Sequence, residues 1–306
     1  MTSRVAAVAL AALAAAGCAG STPPNIGVQR GSAPAGGSPS GSPSGSQAAI
    51  VPRPRHTVVV VMENHSYSEI IGNPQARFIN DLASHGALFT ASYGVTHPSE
   101  PNYLALFSGS THGVTSDQCP TVIRAPNLAS ELIAAGLTFT GYAQGLPAPG
   151  SAVCDQGGYA RKHAPWTDFT NVPRSAGQPF SQFPSGDYAR LPTVSFVVPD
   201  LCNDMHDCSV ATGDRWLRAH LAGYAQWAMT HDSLLILTWD EDDGSQSNRI
   251  VTIFAGQQVR PGRSARPIDH YNVLRTIEQA YGIPLTGQAA THYPITGIWF
   301  DSHRPN

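Results

Sequence analysis

Three apolar runs constrain this chain more than any other feature. Val58-Val59-Val60-Val61-Met62, Val194-Ser195-Phe196-Val197-Val198 and Leu234-Leu235-Ile236-Leu237-Thr238-Trp239 are short, continuous and rich in branched side chains. Such runs read as strands covered on both faces, as in a sheet between two helix layers. Helical spacing appears between them. Phe78, Ile79 and Leu82 mark a helix within 73–85 that Gly86 stops, and Asn127 caps a second that runs to Ala135 before Gly136. Residues 214–229 and 271–281 read as two more helices, and 87–93, 137–142 and 249–255 as further strands. The alternation predicts an α/β fold of three layers, a largely parallel sheet flanked by helices.

The folded domain is expected at 53–306. Before it, residues 1–18 read as an export signal: Arg4 precedes an apolar run from Val5 to Ala16 that is too short to span a bilayer. Gly17-Cys18 then resembles a lipobox, with Cys18 lipidated, although Ala15 stands where leucine is usual. An ordinary secretory signal is the alternative. Residues 19–52 are Ser-, Gly- and Pro-rich and cannot bury a core, so they read as a flexible tether. The protein is therefore expected outside the cell, touching membrane only through the lipid. A net charge of −3 with no basic stripe argues against a nucleic-acid partner. Four cysteines remain: Cys119, Cys154, Cys202 and Cys208. In an oxidising compartment they suggest two disulfides with three possible pairings, of which Cys119–Cys154 with Cys202–Cys208 closes the smallest loops. No C-x-x-C pair supports zinc as the rival.

Ligands of open α/β sheets sit beyond the carboxyl ends of the strands. The three apolar runs end in Glu63-Asn64-His65, in Asp200 followed by Asn203-Asp204-Met205-His206-Asp207, and in Asp240-Glu241-Asp242-Asp243-Gly244. Parallel strands would bring these clusters to one rim, where crowded carboxylates repel unless a cation neutralises them. Oxygen donors favour Mg²⁺, Ca²⁺ or Mn²⁺, and histidines admit Zn²⁺. His97-Pro98-Ser99-Glu100-Pro101-Asn102-Tyr103 adds a hydroxyl between two prolines, opening a helix whose N–H groups favour anions. Each piece has a plainer explanation alone. Ser99 suits a helix cap, Asn64 a turn, the acidic run a solvated loop, and His206 and His270 structural roles. The conjunction is what specifies a site. Among the 12 histidines, His56, His85, His220 and His303 read as surface or linker residues, and His65, His97 and His112 as within reach of the site. Residues 143–190 read as a long insertion over one face, expected to face the substrate.

These pieces resemble bacterial phosphoesterases of the group that includes acid phosphatases and phospholipases C, within the alkaline phosphatase superfamily. The resemblance is carried by Val61-Met62-Glu63-Asn64-His65-Ser66, by the Ser99 heptad with Ser108-Gly109, by 199–207, by Thr238-Trp239-Asp240-Glu241 and by Asp269-His270. It implies an alkaline phosphatase-like fold and a divalent metal held by Glu63, Asn64, Asp240 and Glu241. It implies Ser99 as nucleophile, His206 and His270 as proton donors or further ligands, and Asn102 and Asp204 against the substrate. Glu241 stands where two-zinc relatives carry histidine, and Asp204 and His206 lack their Asp-x3-His spacing. Both departures favour one metal. The implied activity is hydrolysis of phosphate esters through a phosphoserine, in an exported acid phosphatase or phosphodiesterase. The alternatives are a phospholipase C acting on phospholipid headgroups and a non-catalytic, ligand-binding surface lipoprotein. A sulfatase would need an arginine that the Ser99 motif lacks.

Overall fold

A computed structural model describes residues 51–300. The expected signal and lipobox, and the expected tether up to residue 50, lie outside the described residues, while Val51 packs against the core. The strands are β1 (His56–Met62), β2 (Ala87–Tyr93), β3 (Phe139–Ala143), β4 (Asp155–Gln156), β5 (Tyr159–Ala160), β6 (Gly177–Pro179), β7 (Val194–Val198), β8 (Ser233–Trp239), β9 (Arg249–Gly256), β10 (Gly262–Ser264) and β11 (Ile268–Asp269). The helices are α1 (Tyr67–Ile70), α2 (Arg77–His85), α3 (Ser99–Ser108), α4 (Leu128–Ala134), α5 (Val210–Ala228) and α6 (His270–Tyr281).

One sheet runs β10-β2-β9-β8-β1-β7-β3-β6, with β11 paired to β2. Its pairings are parallel except the two made by β9. Alternation along β1 shows why the strand is apolar throughout. Val59 and Val61 enter one core with α3, α4 and α6; Val58 and Val60 enter the other with α2 and α5. Each buried valine contributes roughly 1.5–3 kcal/mol. The result is a three-layered α/β/α arrangement, a largely parallel sheet between two helix layers.

The central trio β8-β1-β7 fixes the rim. Both neighbours run parallel to β1, with Met62 opposite Trp239 and Val60 opposite Val197. Glu63, Asp240 and the 200–208 loop therefore leave the sheet at one edge. The helix carrying Ser99 starts beside it and ends at Gly109, whose φ of 70° is left-handed. A Cβ there would lie 2.2 Å from the carbonyl oxygen of Thr286, so no larger residue fits without movement.

Differences from expectation are local. Helix α5 starts at Val210, because Ser209 in extended conformation precedes it. Asn127 does cap α4, accepting from the Ser130 N–H at 2.9 Å. The insertion holds strands β4 to β6 and several 3-10 turns, and β6 extends the main sheet. The disulfides join Cys119 to Cys154 and Cys202 to Cys208.

Candidate active site

Ser99 is the first residue of α3, and Pro98 occupies the capping position, so the hydroxyl is not used as a cap. Buried Ser99 instead donates toward Glu63 Oε2 at 3.0 Å and Glu241 Oε1 at 3.2 Å. The strand ends β1 and β8 thus meet the helix start at one oxygen. The other Glu63 oxygen accepts from the Tyr103 hydroxyl, one turn along α3.

Asn64 has φ 52°, a left-handed conformation that asparagine tolerates. That turn aims its backbone N–H at Asp240 Oδ1, 3.1 Å away. Asp242 folds the acidic loop: its carboxylate accepts the N–H groups of Gly244, Gln246 and Asn248. The run for which a solvated loop was the plainer alternative is buried over Asp240, Glu241 and Asp242.

A second cluster shares Glu63. One ligand atom each from buried Glu63, His163 and Asp204 lie within 4.8 Å of one another. His163 Nε2 is 3.2 Å from Glu63 Oε1, and Nδ1 is 3.5 Å from Asp204 Oδ2. Neither contact is aligned as a hydrogen bond, and His163 Nε2, Asp204 Oδ2 and Asp240 Oδ2 are buried without a partner. Orphaned donors and acceptors that converge this closely fit a divalent cation better than they fit one another. The ring of His163 stacks on Tyr103 with centroids 5.0 Å apart, which ties the insertion to α3.

Electrostatics point the same way. Burial, then the charges of Asp240 and Asp204, push the Glu63 carboxyl well above its ordinary range. Burial, then Glu241, pushes Asp240 up to about 8. Asp204 also rises to about 8, chiefly through burial. Burial, then the positive charges of Lys162 and His206, hold His163 well below its ordinary value. Acids in this state take up protons or hold a cation.

The expected residues fall into three groups. Ser99, Glu63, Asp240 and Glu241 come together. Of the four expected metal ligands, only Glu63 belongs to the compact triad; Asp204, expected against the substrate, belongs to it too. His206 is partly exposed at the rim, its Nδ1 2.7 Å from Asp207 Oδ1. Two expected residues engage partners within the protein. His270 is buried, with Nε2 2.6 Å from the carbonyl oxygen of Asp240, so it braces the acidic strand end and does not face the opening. Asn102 Nδ2 donates to the carbonyls of Thr96 and Pro98, and its Oδ1 accepts from Val95 and Thr96 N–H. It shapes the loop before Ser99, and its Nδ2 also lies 3.5 Å from Glu241 Oε2, so it stands at the acidic cluster with its donors engaged.

The sequence reading missed His163 altogether, and gave no role to Tyr103 or Lys162. His97, placed only within reach, lies at the mouth with Nδ1 2.6 Å from Glu241 Oε2. The one available signal for His163 was its place beside the chain's single lysine inside the insertion.

A sequence model of the phosphoesterase family matches residues 73–284. The chain belongs to the phosphoesterase family. It is 56% identical to a phosphatidylinositol-3-phosphatase of Mycobacterium tuberculosis over 259 residues, 84% of this chain and 87% of that protein. It is 29% identical to an acid phosphatase of Aspergillus fumigatus over 75% of its own length, and spans 55% of the fungal protein. A solved alkaline phosphatase superfamily protein from Vibrio parahaemolyticus shares the fold, with a TM-score of 0.56 at 13% identity over 81% of this chain and 72% of that one. This phosphoesterase is a hydrolase of phosphate-ester bonds, and its buried acid and histidine cluster supports a metal-dependent reaction.

Proposed function

We propose that the protein hydrolyses phosphate monoesters through a phosphoseryl intermediate on Ser99, with phosphorylated inositol lipids as its substrate class. The observation that carries this reading is the Ser99 hydroxyl, buried at a helix start between Glu63 and Glu241. The substrate class is drawn from the identity to the mycobacterial enzyme. Both curated relatives described above are named as phosphatases, which favours a monoester over cleavage of a phospholipid headgroup.

Glu63, His163 and Asp204 would hold the divalent ion, with Asp240 and Glu241 across Ser99. Bound there, it supplies positive charge that eases ionisation of the hydroxyl and offsets the charge of the phosphoryl group. Ser99 gives its proton to Glu241, a carboxylate it already donates to and one that does not hold the ion. Its oxygen then forms a bond to phosphorus as the bond to the ester oxygen breaks. The leaving alkoxide takes a proton from a rim histidine, His97 or His206. Water then attacks the phosphoserine, releasing inorganic phosphate and restoring the hydroxyl. Export and a lipid on Cys18 complete the proposal, because they would hold the domain beside membrane lipids.

Purified protein with added Mg²⁺, Ca²⁺, Mn²⁺ or Zn²⁺ is offered a chromogenic phosphate monoester, a phosphocholine ester, and vesicles with phosphatidylinositol 3-phosphate. Release of inorganic phosphate from the first and third is expected. Exclusive attack on the phosphocholine ester would replace this reading with a phospholipase C, and binding without turnover would replace it with a ligand-binding protein.

A further inference from the structure

We propose that Lys162 is a phosphate-binding residue, whose ammonium meets the anionic phosphoryl group beside Ser99. This rests on the hydrolytic reading above.

Lys162 is the only lysine in the chain. It sits in the middle of a 3-10 turn, Arg161–His163, whose two neighbours are committed elsewhere. His163 enters the triad with Glu63 and Asp204. Arg161 points its guanidinium at the Thr121, Ala152 and Thr167 carbonyls and the Thr167 hydroxyl, and pairs with Asp168. Lys162 points to neither set of partners. Its Nζ lies 2.6 Å from Asp117 Oδ2. The other Asp117 oxygen accepts the backbone N–H of Glu100 at 3.0 Å, and Glu100 directly follows Ser99. A single carboxylate therefore pins the ammonium to the first turn of the helix that carries the hydroxyl.

That anchorage leaves capacity for a ligand. An ammonium has three donors, and among the described residues Asp117 takes one. The Lys162 side chain is 20% exposed, so a substrate can reach it. Charge balance calls for such a group. Glu63, Asp204, Asp240 and Glu241 are all buried at the rim, and a phosphate monoester brings further negative charge. Among the described residues no arginine forms an ion pair with these four acids, whereas Lys162 directly precedes His163 of the triad. The ammonium, shared with Asp117, offers directed hydrogen bonds that a divalent ion cannot.

Binding of inorganic phosphate to metal-loaded wild type, Lys162→Met and Lys162→Arg, by calorimetry, tests the role directly. Product inhibition and KM for a chromogenic monoester provide the second readout. Loss of a charge-assisted hydrogen bond predicts phosphate binding and KM weakened about tenfold to a hundredfold in Lys162→Met, with a smaller change in kcat. Lys162→Arg should recover most of it. Metal content and melting temperature should match wild type. Unchanged phosphate affinity in Lys162→Met would overturn the proposal. So would weakened affinity accompanied by lost metal and a lowered melting temperature, which would make the lysine a structural brace. If wild type bound phosphate but hydrolysed no ester, the hydrolytic reading would fall, and the binding series would still decide the part played by Lys162.

Discussion

The rim and α6 both bury a carboxylate above its ordinary pKa, and they differ in what surrounds it. At the rim, Glu63 accepts from the Ser99 hydroxyl, and Asp204 and Asp240 each leave one buried oxygen unpartnered. In α6, Glu278 is equally buried and also leaves one oxygen, Oε2, without a partner, while its Oε1 accepts both the Thr286 N–H at 3.0 Å and the Thr286 hydroxyl at 2.6 Å. Burial raises the pKa in both places. What distinguishes the rim is convergence: several acids, a histidine and a hydroxyl share a few ångströms. Glu278 meets a single threonine and ties the end of α6 to the chain beyond it. Perturbed acidity alone is thus a poor marker of function, and perturbed acidity shared among neighbours is a good one.

The contrast is sharpest at Ser99. Ser99→Ala removes the hydroxyl and leaves the acids and the fold. Hydrolysis of a chromogenic monoester should fall by about 10³-fold or more, with metal content retained. Comparable turnover in the purified variant would remove the serine from the mechanism and leave the rim a metal-binding cluster only.

Glu63 is the carboxylate shared by the serine side and the triad. Glu63→Ala should weaken divalent metal binding by at least about a hundredfold, as read by elemental analysis after dialysis. Glu278→Gln should leave metal content and hydrolysis at the wild-type level. Equal metal loss in both variants would mean that neither acid is a ligand.

Metal removal probes the rim as a whole. Ion at a hundredfold excess over its dissociation constant stabilises the folded state by about 2.7 kcal/mol. A chelator should therefore lower the melting temperature of wild type by several degrees, and added ion should restore it. Glu63→Ala should show little of this response. A full response in that variant would place the ion away from Glu63.

The same division runs through what the sequence reveals. Glu63, Asp200, Asp240 and Glu241 are legible because each follows an apolar strand, and parallel register carries strand ends to one edge. Ser99 is legible from its two flanking prolines. His163 and Lys162 are not, because their place is set by contacts remote in sequence: the stack on Tyr103, the pair with Asp117 and the Cys119–Cys154 bridge. His270 and Asn102 are visible as polar residues in a motif, but their roles are not. His270 meets a backbone carbonyl, and Asn102 meets backbone groups together with Glu241 Oε2, partners that the pattern of residue types does not report. The sheet order was likewise open, since apolar runs show that a strand is covered on both faces without naming its neighbours.

The effect of Glu278 shows only as pH changes, and its sign is fixed by linkage. Burial pushes this carboxyl from 4.5 up to about 7, against the hydrogen bonds from Thr286 that favour its charged form. A raised acid favours the fold while it stays protonated. That contribution is fully present below the unfolded value of 4.5 and is lost as pH rises through about 7. Glutamine keeps the acceptor for Thr286 and cannot ionise. Glu278→Gln should therefore match wild type near pH 4, gain on it between pH 4.5 and 7, and remain more stable by ~3 kcal/mol above that. Denaturant unfolding across this range reads the difference. A gap that stayed constant with pH would show that Glu278 ionises normally in the fold, and burial would no longer be the cause shared by the two places.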